Sequence, residues 1–83
     1  MKIFLATPEK PVFSGEVTSL LLEAEKGQIN ILERHARLIS LVRPGPITIR
    51  HGQTENRFHV GDGVIKVENE TVNILCDTAK AQD

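Results

Sequence analysis

Apolar residues along this chain recur with a period of two, the repeat of a strand whose successive side chains point to opposite faces. Over residues 2–7, Ile3 and Leu5 share one face, Phe4 takes the other, and Pro8 closes the run. A longer run covers residues 12–24, where Gly15 marks a bend or bulge and Leu20-Leu21-Leu22 is apolar on both faces, so this run is expected at the centre of the fold. Glu25-Lys26-Gly27 is a turn, after which Ile29 and Ile31 share one face of residues 28–32. Following the polar Glu33-Arg34-His35, residues 37–42 are apolar until Arg43-Pro44-Gly45-Pro46, where two prolines around a glycine force a turn and forbid helix.

Residues 47–50 alternate cleanly, and the polar stretch 51–56 is predicted as a hairpin loop into residues 57–60, with Phe58 and Val60 inward. Gly61-Asp62-Gly63 turns the chain again, and the runs 64–67 and 72–75 flank Glu68-Asn69-Glu70, a connection suited to a tight hairpin. Punctuation every ten residues or so is the spacing of an all-β sandwich or barrel. The pattern therefore predicts one antiparallel β domain over residues 1–79, with no long helix, and a patternless tail, residues 80–83, that frays.

Composition narrows what such a domain does. With 83 residues, 40% apolar and 25% charged, the chain has enough for one small core and lies far from the disordered regime. A net charge of −1 and the absence of a basic stripe argue against nucleic-acid binding. The longest apolar run, residues 38–42, is broken by Ser40 and is far too short to cross a bilayer, and the amino-terminal run is too short and too charged for a signal-peptide core, so a cytoplasmic address is expected. The single cysteine, Cys76, continues the alternation of Val72 and Ile74 and is read as core.

Candidate chemistry is sparse. His51 and His59 lie on opposite arms of a predicted hairpin, where two imidazoles without a third ligand bind metal poorly; solvated hairpin positions explain them better. Glu33 and His35 are an acid–base pair only in a loop geometry that the sequence does not specify. Gly61-Asp62-Gly63 lacks the spacing of a phosphate-cradling loop, and no helix follows it. No catalytic residue, metal or cofactor is expected. The residues by themselves describe a small soluble β domain that binds something protein-like.

As ordered text, the chain resembles the epsilon subunits of bacterial and chloroplast F-type ATP synthases, the counterparts of the mitochondrial delta subunit. That family opens on a strand followed by "TPE" and "v-f-G-e-V", and here stand Thr7-Pro8-Glu9 and Val12-Phe13-Ser14-Gly15-Glu16-Val17. Its most specific stretch reads like "GxxGILPGHAPLITALKPG", and residues 27–45 follow it in register from Gly27 through His35-Ala36 to Arg43-Pro44-Gly45. It closes on "GG-l-E-V" and "V-t-V-L-a-D-T-A", matched by Asp62-Gly63-Val64-Ile65-Lys66-Val67 and by Val72-Asn73-Ile74-Leu75-Cys76-Asp77-Thr78-Ala79. Departures fall at Asn30 for a glycine, Glu33-Arg34 for Pro-Gly, and Arg37 for a proline, which loosens the local loop.

The resemblance implies a sandwich of two five-stranded sheets that serves as a non-catalytic rotor subunit of a proton- or sodium-translocating ATP synthase, coupling the gamma subunit to the membrane c-ring. By position, Gln28, Ile29, Asn30, Ile31 and His35 are expected to face the polar loops of the c-ring, and Thr7 with the segment 38–41, Leu38, Ser40 and Leu41 above all, the gamma subunit. The expected location is peripheral, at the cytoplasmic face of the bacterial inner membrane, with no insertion into it. Family members continue past "DTA" into a two-helix hairpin with regulatory roles; that hairpin and those roles are not expected of this chain. Competing readings are a free-standing binding module and a small hydrolase. A carbohydrate module would present exposed aromatics, whereas this chain has no Trp, no Tyr and three Phe in strand-like runs. A hydrolase would need a concave site with perturbed acids.

Overall fold

The computed structural model describes residues 1–82, which form ten strands and no helix. They are β1 (Lys2–Ala6), β2 (Pro11–Glu16), β3 (Ser19–Ala24), β4 (Gly27–Leu32), β5 (Leu38–Val42), β6 (Gly45–His51), β7 (Thr54–Val60), β8 (Gly63–Glu68), β9 (Thr71–Cys76) and β10 (Ala79–Gln82). One half carries β4, β3, β6, β7 and β10 side by side, and the other β5, β8, β9, β1 and β2. A single bridge, Ala24 opposite Val42, joins the halves into one ladder that nearly closes on itself. All pairings are antiparallel except β1 with β9, which run parallel in a unit expected to be antiparallel throughout.

The inner faces follow the alternation. Leu20, Leu22, Ile31, Ile47 and Ile49 of the first half meet Ile3, Leu5, Ile65, Val72 and Ile74 of the second, each almost free of solvent contact. At the open side, the tilted rings of Phe13 and Phe58 lie 5.7 Å apart and close the gap between the halves. No polar side chain is buried among the described residues, so packing alone holds this core.

Several connections differ from expectation. The run over residues 12–24 is broken at Val17-Thr18 rather than at Gly15, which pairs with Ile3 inside β2. The polar stretch 51–56 is largely ladder, because Gly52 at φ 61° lets two residues make the turn between His51 and Thr54. Only Arg43 and Pro44 leave the ladder between β5 and β6. The tail expected to fray is strand through Gln82: Ala79, Lys80, Ala81 and Gln82 pair with Val60, His59, Phe58 and Arg57, since β7 otherwise has an unpaired edge there. Asp83 lies outside the described residues.

The hairpin at Asn69-Glu70 is as tight as predicted, with both residues in the left-handed region at φ 50° and 64°. Glycine is the usual second residue of such a turn. Here Glu70 compensates by tying three segments together. Its carbonyl accepts the Lys2 amide at 2.9 Å, and its Oε1 accepts the Arg34 amide at 2.9 Å, which fixes the loop where Arg34 is itself at φ 65°. Glu70→Ala, which keeps the strain and loses the bond, is expected to cost about 1 kcal/mol, whereas Glu70→Gly, which loses both, should be nearly neutral. Urea unfolding of the two variants checks this.

Candidate functional site: an apolar outer face

The outer faces of the two halves differ in chemistry. On the first, Arg50 Nη2 lies 2.9 Å and Arg57 Nε 2.7 Å from the Glu55 carboxylate, with Ser19, Asn30 and Thr48 nearby. It is a hydrated, polar sheet face of the ordinary kind.

On the second half the register builds two rows across four strands. One runs Phe4, Asn73, Lys66, Ile39, and the other Ala6, Leu75, Val64, Leu41. Five large apolar members are exposed alongside Lys66 and Asn73: Ile39 is 75% exposed, Leu41 53%, Leu75 48%, Val64 46% and Phe4 40%. Phe4, Ile39, Val64 and Leu75 border a shallow groove of about 460 Å³. Its volume is in the range of small-molecule sites, but no set of polar groups converges on it, so it reads as a surface for a protein partner. The ammonium of Lys2 sits 5.6 Å from the centroid of the Phe4 ring at its border.

The residues singled out from the sequence are distributed unevenly around this face. Leu41 is on it. Leu38 and Ser40 have the opposite parity, paired with Val67 and Ile65 on the inner side, and Ser40 Oγ donates to the Leu41 carbonyl at 3.0 Å. Thr7 follows β1 and exchanges hydrogen bonds with Lys10. On β4, Gln28 and Asn30 are exposed, with Gln28 Nε2 donating to Glu23 at 3.2 Å. Ile31 is fully buried, so it belongs to the core and not to a surface contact: its side chain points inward opposite Leu20. His35 is exposed, with Nδ1 2.6 Å from the Ala36 carbonyl oxygen, in the loop at the far end of β4 from the turn that precedes Gln28; the structure does not bring these residues into one patch. Instead Ile29 joins Leu38 and Ser40 along a groove between β4 and β5.

Phe4, Val64 and Leu75 were missed as site residues. The available signal was the apolar residues of both parities in β1, β5, β8 and β9, where a half-buried strand would alternate apolar with polar.

The remaining chemical candidates stay apart. His51 pairs with Thr54 and His59 with Pro46, at opposite ends of their hairpin. No group of three metal-ligating side chains occurs among the described residues. Cys76 is buried, and its thiol is pushed up to about 11 by burial first and then by the charges of Asp77 and Asp62. The native thiol is therefore neutral at pH 8 and should react with a thiol reagent only when the chain unfolds, as a comparison with and without guanidinium checks. Because the folded state holds the proton more tightly than the unfolded one, stability should be flat below pH 9 with respect to this group and fall as pH rises from 9 towards 11.

Fold and face together define a small β-sandwich domain, a body with a dry core and one apolar side left open. Over residues 1–82 the sequence matches the family described as "ATP synthase, Delta/Epsilon chain, beta-sandwich domain", and the chain belongs to that family. It is similar to the ATP synthase epsilon chain of Hydrogenovibrio crunogenus, at 32% identity over 100% of this chain and 58% of the relative. It is also similar to that of a Janthinobacterium species, at 37% identity over 95% of this chain and 58% of the relative. The chain thus spans less than two thirds of these relatives' length. Its fold matches a chain in the Euglena gracilis mitochondrial ATP synthase, in a structure of OSCP, F1 and c-ring, with TM-score 0.89 and 17% identity over 95% of this chain and 51% of that one. A chain in the Tetrahymena thermophila mitochondrial ATP synthase, from its central stalk and c-ring, gives TM-score 0.83 at 18% identity over 96% of this chain and 65% of that one.

Proposed function

We propose that this chain is a non-catalytic domain of the central stalk of an F-type ATP synthase, coupling the gamma subunit to the c-ring at the cytoplasmic face of the bacterial inner membrane. The observation that carries this reading is the apolar outer face of β1, β9, β8 and β5, in a member of the delta/epsilon family. The names of its relatives and the stalk and c-ring assemblies of its structural neighbours support it.

In this reading the gamma subunit covers Phe4, Ile39, Leu41, Val64 and Leu75, with Thr7 at the margin and Leu38 and Ser40 contributing through the groove beside β4. Gln28, Ile29 and Asn30 meet the c-ring loops, and His35 makes a separate contact. The role needs neither catalysis nor a cofactor. It needs a body that transmits force without deforming, which a close-packed sandwich provides.

Titration of the purified chain with the gamma subunit of the same enzyme tests the proposal. A one-to-one complex by calorimetry and size exclusion is expected. A folded chain that gives neither heat nor co-elution contradicts the reading and favours a free-standing binding module.

A further inference from the structure

The apolar face has a charge near its centre. Lys66 lies between Asn73 and Ile39 in one row and beside Val64 along its own strand, with its side chain 55% exposed. Its only ion-pair partner among the described residues is Glu68, with Nζ 3.8 Å from Oε2, at the rim where β8 enters its turn. Two other cations border this side: Lys2, engaged with the Phe4 ring, and Arg37, which lines a second groove with Ile39, Lys66 and Glu68. A partner that covers Phe4, Ile39, Val64 and Leu75 also removes water from Lys66. An ammonium desolvated with one distant, rim-exposed carboxylate is unfavourable unless the incoming surface pairs with it.

A partner surface that presents a carboxylate here attracts Lys66, and one that presents a cation repels it.

We propose that Lys66 is a specificity-determining residue of the docking face, and that the gamma surface seated on it presents a carboxylate to its ammonium. The proposal rests on the gamma-docking reading of this face and adds the chemistry of the partner. The charge selects a gamma surface that carries a carboxylate opposite it against one that does not.

The test is calorimetric titration of the gamma subunit of the same enzyme with the unmodified chain and with Lys66→Met, Lys66→Glu and Ile39→Asp, each checked for an unchanged melting temperature. Lys66→Met should bind about tenfold more weakly and Lys66→Glu about thirtyfold, with a salt dependence that Lys66→Met loses. Lys66→Met binding as tightly as the unmodified chain, or more tightly, overturns the proposal, because it shows that the ammonium finds no carboxylate. If Ile39→Asp weakens binding in that same experiment, the docking reading survives and only the assigned charge fails. If Ile39→Asp binds normally, the face is not the gamma site and both fall.

Discussion

Ile39→Asp should weaken binding to the gamma subunit by roughly a hundredfold or more, the scale of a hot-spot residue lost from the centre of an interface. The residue is 75% exposed in the free chain, so the substitution removes no core contact and creates no cavity. Its backbone pairs with Lys66 in a ladder that does not involve the side chain. The melting temperature should therefore move by no more than the small shifts typical of surface changes. In the complex the same carboxylate would replace an apolar anchor among Leu41, Val64 and the partner's apolar atoms, and it would draw the ammonium of Lys66, its cross-strand neighbour, away from the partner, so the interface loses both contacts. Calorimetry measures the affinity and circular dichroism the fold. Loss of both together would mean that Ile39 supports the sandwich, a role its exposure gives no reason to expect.

Gly63→Ala should damage the fold itself. A Cβ at this position would lie 2.3 Å from the Leu75 carbonyl oxygen and 2.8 Å from Cys76 Cα, both backbone atoms of the paired strand, and 2.7 Å from Cys76 Sγ. A flexible side chain could swing away, but a ladder carbonyl cannot move without shifting β9 against β8. Gly63 also pairs with Val42, the residue that makes the single bridge between the two halves, so the displacement reaches the seam of the sandwich. Overpacking of this kind costs about 3 kcal/mol, a large part of the roughly 4–12 kcal/mol that a domain of this size commands. The melting temperature should fall by roughly 15 °C. Gly52→Ala is the contrasting case: nothing lies within 4 Å of its added Cβ, and it bears only the strain of φ 61°. Its cost should stay near 1 kcal/mol. Equal loss in both variants would show that backbone conformation, and not space, governs these glycines.

Much of the fold was legible because it is written in parity. Ile3 and Leu5 were set on one shared face and Phe58 and Val60 on the inner one, on a period of two, and each is buried. What alternation did not reveal was pairing between distant strands. The parallel contact of β1 with β9 depends on how the chain ends meet, which no local pattern encodes. The strand at residues 79–82 was missed for a similar reason. Ala79, Lys80, Ala81 and Gln82 have no apolar alternation, and their order comes from the edge that β7 offers them.

The candidate site was half legible. Leu41 was recognised by resemblance, but Leu38 and Ser40 were grouped with it across the pleat, although residues one apart on a strand face opposite ways. Ile31 was assigned to a surface by its place in a motif, while the period of two it shares with Ile29 already set both on one apolar face, opposite Leu20 and Leu22. The apolar face itself lay in the residues opposite the core, Phe4, Ile39, Val64 and Leu75, which look like ordinary strand residues until the register sets them side by side.

Cysteine protection measures the docking of this face directly. The native Cys76 is buried and neutral, so a thiol reagent reports only an introduced cysteine. Ile39→Cys on the apolar face and His59→Cys on the polar half would each be labelled with and without the gamma subunit present. Strong protection of Ile39→Cys by the gamma subunit, with His59→Cys labelled at its free rate, is the result expected of a domain that docks through the outer face of its second half. Unchanged labelling of Ile39→Cys in a complex that demonstrably forms would contradict it.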